Sequence, residues 1–308
     1  MNLAVATNPA LGASLAPLYQ QIAGIAHPPL LPSALCLAMS TVDVLIPTYN
    51  RSTALAVTLA GLCVQTYRDF RVTVSDQTES FDVADLGEIQ AVVRVLELHG
   101  HRVNLIKHLP RQGIAEQRNF LLSQATAPYV LFMDDDVMFE PWALENLVST
   151  IQKEGCGLVG MPLIGLSFAD DVRPHEQGPF QFWEGPIQPE VIKPDTPAWE
   201  RWRLHNAANP LHIQQRLNLT PDRPRPYKVA WVGGCTLFDR AKLLEVGGFS
   251  FWEDLPSTSC GEDVLAQQRV MARYGGCGIL PSGAYHQEVP TTIHDRSKDA
   301  HHFLPVEV

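Results

Sequence analysis

The narrowest limit on the fold is set by Pro128-Tyr129-Val130-Leu131-Phe132-Met133-Asp134-Asp135-Asp136-Val137. It begins as an unbroken apolar run bounded by proline, the pattern of a strand buried on both faces inside a parallel sheet. It ends in three consecutive carboxylates. Burying unpaired charge is costly, so the strand must stop there and deliver its acids to the sheet edge. In open α/β sheets that carboxyl edge is where ligands bind. Carboxylates this close repel one another and are relieved by a hard cation such as Mg²⁺ or Mn²⁺, which would in turn hold a diphosphate. A solvated acidic turn or a helix N-cap is the plainer reading of the same triplet.

The rest of the chain is long enough, at 308 residues, for one large α/β domain with an elaboration. A net charge of −10 argues against a general nucleic-acid binder. A nucleotide ligand is still compatible, because a divalent cation would invert the local sign. Cys36, Cys63, Cys156, Cys235, Cys260 and Cys277 form no CxxC pair and read as reduced, packed thiols. No apolar run reaches the roughly 18 residues of a membrane span. The apolar start lacks a basic region and is interrupted by prolines, a poor signal peptide. The expected location is cytoplasmic, with peripheral membrane attachment left open.

Residues 1–40 read as an N-terminal extension, with one candidate helix over 11–26 stopped by Pro28-Pro29. The change in texture makes Met39 a candidate natural start and predicts a poorly ordered leader. From residue 42 the chain alternates. Strands are predicted over 42–46, 70–76, 103–108 and 128–133, with helices over 54–65, 81–98 and 114–124, and Ser52 or Thr53 capping the first. Such alternation makes a doubly wound, mainly parallel sheet flanked by helices. A helix over 142–154 and a strand over 157–163 follow. Residues 167–226 lose all period and collect prolines and aromatics, the texture of a binding insertion. After it come a strand over 228–238, a helix over 240–245, Gly261-Glu262-Asp263 opening a helix to about 273, and a last strand over 279–285. The domain is bounded at 41–290, with a tail over 291–308.

Several motifs now stand in a fixed order. They are Ile46-Pro47-Thr48-Tyr49-Asn50-Arg51, Ser75-Asp76, Gly113-Ile114-Ala115-Glu116-Gln117-Arg118-Asn119, Asp134-Asp135-Asp136, Trp231-Val232-Gly233-Gly234-Cys235, Gly247-Gly248-Phe249 and Gly261-Glu262-Asp263. This ordered set closely resembles the family 2 glycosyltransferases, which have the nucleotide-diphospho-sugar transferase (GT-A) fold. The resemblance covers roughly residues 41–290. It implies a metal-dependent inverting transfer of a sugar from a nucleotide diphosphate to a hydroxyl acceptor. The donor would be a UDP-sugar by preference, with GDP- or dTDP-sugars as alternatives. The acceptor could be a sugar, a lipid-linked glycan or a small molecule.

The resemblance also distributes roles. Pro47, Thr48 and Tyr49 would line the nucleoside pocket, with Arg51 near it. Asp76 matches the acid that reads the base, although Ser75-Asp76-Gln77-Thr78 departs from the usual Asp-Asp-Gly-Ser. Arg118 would approach the nucleotide. Asp134 and Asp135 would lie on the donor side, with Asp136 as the ligand of Mn²⁺ or Mg²⁺. Asp263, or its neighbour Glu262, would be the catalytic base, at a helix start that favours an ionised carboxylate.

Plainer readings stand beside these roles. Arg118 could be a surface charge, Glu262-Asp263 an ordinary helix-start pair, and Gly233-Gly234 a bend. His286, past the last strand, could complete a metal shell or touch a diphosphate, or be structural. Trp183, Trp199 and Trp202 could stack on a sugar or merely fold the insertion over the site. His301 and His302 read as solvated. Two rival functions are a nucleotidyltransferase and a catalytically inactive nucleotide-sugar-binding module. The first would want a Gly-rich basic loop after the first strand, where the chain supplies only Arg51. A dehydrogenase is disfavoured because no G-x-G-x-x-G follows that strand.

Overall fold

The structure is a computed structural model and describes residues 40–293 and 295–306. The expectations for the leader, its helix, its order and Met39, lie outside these residues, as do Cys36 and His294.

Strand β1, Val42–Thr48, is buried along its whole length. Val42, Val44 and Ile46 enter one hydrophobic core and Leu45 the other, as two-residue periodicity requires. Strand β2, Phe70–Asp76, and strand β3, Val103–Lys107, extend the sheet on one side of β1. The acid-bearing strand β4, Tyr129–Met133, lies on its other side, and the four run parallel. In β4, Leu131 and Met133 face one core while Val130 and Phe132 face the second. The doubly buried strand expected from the apolar run is therefore present.

Helices α1 (Ser52–Cys63), α2 (Gly87–Leu98) and α3 (Ile114–Gln124) make the parallel crossovers. Ser52 is the first residue of α1 rather than its cap. Arg51 holds the cap position, no side chain caps the helix, and the Arg51 guanidinium reaches the acids instead. The single helix expected over 81–98 is divided, with a short 3₁₀ turn at Val83–Asp85 before α2.

No helix follows the triplet directly. A short strand β5, Val137–Phe139, comes next, then α4, Ala143–Glu154, whose Leu144, Leu147, Val148 and Ile151 form the buried stripe. Strand β6 is only Leu158–Gly160. The insertion contains 3₁₀ turns, helix α5 (Asn209–Arg216) and strand β7 (Arg225–Tyr227), and Ile192, Leu204 and Ile213 anchor it in the second core.

The strand expected over 228–238 is confined to β8, Cys235–Asp239. Ahead of it, the Val232 N–H donates to Gln267 Oε1 at 2.8 Å and its carbonyl accepts from Gln267 Nε2 at 2.9 Å, so a side chain replaces a strand partner. Helix α6, Arg240–Glu245, and α7, Glu262–Tyr274, lead to β9, Gly276–Leu280, and β10, Ala284–His286. The last expected strand is thus two, because Pro281 has no N–H for the ladder. Strand β10 pairs antiparallel with β5 in a sheet of its own.

The main sheet has the order β3-β2-β1-β4-β8-β6-β9-β7. Strands β8 and β7 run against the other six. The architecture is the α/β, mainly parallel sheet flanked by helices that the alternation predicts. Reversal of β8 matters most for the site: Met133 pairs with Cys235, so the loop entering β8 meets the acids leaving β4. The Asp134 N–H donates to the Gly234 carbonyl at 2.9 Å. No helix among the described residues is long and apolar enough to cross a membrane, and the five described cysteines are free and buried.

Candidate active site

A cavity of about 650 Å³ opens over the ends of β1 and β4, and its walls include the acid triplet, Arg118, Glu262 and Asp263. Pro47 and Thr48, at the end of β1, and Tyr49 and Arg51, from the loop after it, line it together with His286. Residues far apart in sequence meet here because parallel strands deliver their carboxyl ends to one edge.

Asp135 is buried and accepts from Thr48 Oγ1 at 2.7 Å. Arg51 donates to Asp135 Oδ1 at 3.2 Å and to Asp136 Oδ2 at 2.7 Å, and its other nitrogen reaches the Pro290 carbonyl. Burial, reinforced by Asp136 and Asp134, pushes the Asp135 carboxyl up to about 7 against the pull of Thr48 and Arg51. Asp136 is also raised, by burial first and then by Asp134, while His286 and Arg51 lower it.

Arg118 joins the two acidic groups. Its Nε donates to Glu262 Oε1 at 2.8 Å and its terminal nitrogen to Asp134 Oδ1 at 2.9 Å, in a buried setting. Burial would lower the guanidinium pKa, but Asp134, Glu262 and Asp263 outweigh it and raise the value. The plain surface charge is thereby excluded for Arg118. Burial raises Glu262 to about 7, with Asp263 adding to the shift and Arg118 opposing it. Asp263 is raised as well, by burial and by Asp134, with Arg118 opposing. Among the described residues Asp263 makes no ion pair within contact distance; it lines the cavity at the first turn of α7. Gly261, at φ +77°, starts that helix, and a Cβ there would stand 2.6 Å from Asp299 Oδ1.

Asp76 is not brought to the cavity. It is fully buried beneath the loop, where its carboxylate accepts from Lys107 Nζ at 2.9 Å and from the N–H groups of Thr78 and Val83 at 2.8 and 3.3 Å. Two of these bonds fall on Oδ2 and one on Oδ1.

The residues present fit a divalent ion of the kind held by one or two carboxylates, with phosphate oxygens and water completing the shell. Asp136 lines the cavity and its Oδ2 accepts from Arg51 at 2.7 Å, so an ion bound there would take the place of that guanidinium. No group of three or more His, Cys, Asp or Glu side chains converges into a cage among the described residues. His286 Nε2 lies 3.4 Å from Asp136 Oδ2, but its Nδ1 accepts the Glu288 N–H at 2.8 Å. His286 thus stands beside Asp136 at the cavity wall.

The roles left open for the tryptophans were only partly legible. Trp202 lines the cavity, Trp199 packs behind Trp231 at 5.1 Å, and Trp183 lies elsewhere, under Lys228 Nζ at 4.9 Å. Trp231 and His205 line the cavity too, and neither carried a predicted role. His205 contacts the Tyr227 hydroxyl at 2.6 Å, and burial lowers its pKa to about 4 against a hydrogen bond to the Trp231 backbone. His301 corrects its expectation of solvation: it is mostly buried, 2.7 Å from Asp299 and edge-on to Trp199. His302 is exposed. Gln117, quoted only as part of a motif, donates to the Ser75 carbonyl at 2.7 Å and the Thr48 carbonyl at 3.2 Å, tying β2 to the end of β1. Its place beside Arg118 was the available signal; His205 had none.

A family model described as glycosyl transferase family 2 matches residues 43–216, more than half of the chain. The chain belongs to glycosyl transferase family 2. Its curated relatives include the amylovoran biosynthesis glycosyltransferase AmsB of Erwinia amylovora, 32% identical over 116 residues, which are 37% of each chain. Chondroitin synthase of Escherichia coli is 27% identical over 290 residues, 88% of this chain and 38% of that one. A crystal structure of S. aureus TarS 1–349 aligns with a TM-score of 0.49 at 18% identity, covering 80% of this chain and 60% of that one. The matches span 34% to 41% of the curated relatives' own length. The family 2 match carries β1, Arg118 and the triplet, and ends before Trp231 and Asp263.

Proposed function

We propose that this chain transfers a glycosyl group, with inversion, from a nucleotide-diphosphate sugar to a hydroxyl acceptor. The observation that carries the reading is Asp263, a carboxylate of raised pKa that lines the same cavity as the triplet with no ion-pair partner among the described residues. Its neighbour Glu262 is held by Arg118 and serves to position that guanidinium. This choice between the two acids supports Asp263 as the base.

In the proposed step the acceptor hydroxyl gives its proton to Asp263 as its oxygen forms a bond to the anomeric carbon. The bond from that carbon to the diphosphate oxygen breaks, and the nucleoside diphosphate leaves from the opposite face. Thr48 and Tyr49 would flank the nucleoside, and Arg118 and Arg51 would face the diphosphate. Asp136 would hold a Mn²⁺ or Mg²⁺ ion, which when bound supplies neutralisation of the leaving diphosphate. Peripheral work at a membrane, on a lipid-linked acceptor, is compatible with this chemistry.

The test is a thermal-shift panel of UDP-, GDP- and dTDP-sugars, with and without Mn²⁺, on wild type and Asp136→Ala. Ligand at about a hundred times its dissociation constant stabilises by roughly 2.7 kcal/mol. A metal-dependent rise in Tm with one nucleotide, lost in Asp136→Ala, is expected. If no donor shifts Tm with metal present, the reading fails.

A further inference from the structure

We propose that the free edge of the main sheet, strand β3, is an interface that pairs antiparallel with β3 of a second copy of this chain, about a twofold axis at Leu105. The interface stands apart from the cavity and is independent of the proposed reaction.

The two ends of the sheet are built differently. At one end β7 contains Pro226, which has no N–H to offer a further strand. Its outer side is also covered, since the Trp183 N–H donates to the Pro226 carbonyl at 3.1 Å and the Lys228 N–H to the Gln181 carbonyl at 2.9 Å. Proline and cover are common protections of an edge strand. At the other end, β3 has neither. Its sequence is Val103-Asn104-Leu105-Ile106-Lys107. The one charged group is turned back into the fold, where Lys107 Nζ bonds Asp76 at 2.9 Å and also the carbonyls of Thr78 and Phe81. Val103, Leu105 and Ile106 are left partly exposed.

The backbone of that edge is complementary to itself. The Val72 N–H donates to the Arg102 carbonyl at 2.9 Å and the His108 N–H to the Asp76 carbonyl at 2.8 Å, so the even-numbered residues bond to β2. Alternate residues of a strand point their polar groups the other way. Val103, Leu105 and Lys107 therefore turn N–H and C=O outwards, and none of these groups finds a backbone partner outside the sheet among the described residues. In an antiparallel ladder, facing residues exchange both bonds. With the twofold axis at Leu105, that residue faces its own symmetry mate and Val103 faces Lys107 in both directions. Every outward group is then bonded.

Helix α2 selects the partner. One flank of it faces α1, through His99 Nδ1 at 3.0 Å from the Cys63 carbonyl. Arg94 and Glu97 lie on the opposite flank, are exposed, and make no ion pair among the described residues. A strand rises about 3.3 Å per residue and a helix about 1.5 Å, so, counted from the turn that joins them, Arg94 and Leu105 stand at about the same height. Strand spacing of about 4.8 Å leaves two such helices about 10 Å apart across the joint, the ordinary packing distance. The two copies of α2 run antiparallel across the axis, which brings Arg94 of each towards Glu97 of the other. This match of opposite charges favours a copy of the same chain over an unrelated strand. Because the pairing reverses strand direction, the two cavities open from opposite edges of the joined sheet.

The experiment is sedimentation equilibrium on the full chain, 34.1 kDa for one copy, joined to hydrogen exchange. Wild type is expected to form a dimer at micromolar concentration. Arg94→Glu sets like charges against each other and should raise the dimer Kd about tenfold or more, while the double variant Arg94→Glu, Glu97→Arg should restore it to within about threefold. Both positions are exposed, where substitutions change stability little, and Tm of each variant reports that it is folded. Exchange over 102–108, measured above and below the dimer Kd, should slow at the higher concentration as the outward N–H groups become bonded. A wild type that stays monomeric up to its solubility limit overturns the interface. So does a dimer of equal Kd in wild type and Arg94→Glu, or a dimer without slowed exchange over 102–108, since either places the contact elsewhere.

Discussion

Three carboxylates, Asp134, Glu262 and Asp263, act electrostatically on the single guanidinium of Arg118. Two of them, Asp134 and Glu262, bond to it directly, so the group keeps an excess of negative charge in a buried setting, and Glu262 and Asp263 hold their protons to higher pH than free acids. The division of labour follows. Asp263→Asn should lower kcat by about 10²–10⁴ while leaving the dissociation constant of the donor nearly unchanged, measured by steady-state kinetics and calorimetry. An equal activity in this variant would remove Asp263 as the base. Glu262 makes a different prediction, on stability. Its folded pKa of about 7 lies above the unfolded value near 4.5, so the folded state binds the extra proton. The stabilisation is complete below the unfolded pKa and is lost as pH rises through about 7. Tm of the ligand-free protein should therefore decline by a few degrees between pH 5 and pH 8. Glu262→Gln, which cannot ionise, should flatten that part of the decline, and an unchanged slope would assign it to other groups.

Elements show why some of this was legible and some was not. The strands β2 and β4 and the helices α3 and α6 fall where period and proline placed them, because each carries its own pattern of burial. The triplet was legible for the same reason: charge cannot continue a buried strand. What failed was set by partners remote in sequence. Strand β5 exists because β10 pairs with it, and the approach to β8 is irregular because Gln267 bonds Val232. His301 was drawn into the fold by Gln268, 33 positions away. No local pattern announces such bonds. The loop entering β8 carries its own prediction. Gly234→Ala would force a side chain onto φ +73°, 2.6 Å from Leu163 Cδ1 and 3.1 Å from Asp134 Oδ2. A loss of roughly 1–3 kcal/mol is expected in urea unfolding. Gly233→Ala, one residue earlier, should cost less than about 0.5 kcal/mol, since its Cβ meets nothing. Equal losses would show that the two glycines are not different in kind.

Across the whole molecule, the excess of acid over base concentrates its consequences at one point. With a net charge of −10, the chain places Asp135 and Asp136 under buried cover and gives them the guanidinium of Arg51 as a shared counter-charge. The same side chain reaches the Pro290 carbonyl, so it ties the loop after β1, the end of β4 and the segment after β10 into one contact. Segments 239 positions apart are thus held through a single cation. Removing it by Arg51→Ala should leave two carboxylates without a cationic partner and free residue 290, at a cost of about 3–5 kcal/mol in the ligand-free protein. If a divalent ion takes Asp136 as its ligand, it supplies the missing charge. Saturating Mn²⁺ with a nucleoside diphosphate should then raise Tm of the variant by more degrees than it raises wild type, where Arg51 must first yield. Differential scanning calorimetry on the two proteins, with and without the pair of ligands, measures this. An equal rise in both would mean that cation and guanidinium do not compete, and that Asp136 is held by Arg51 in every state.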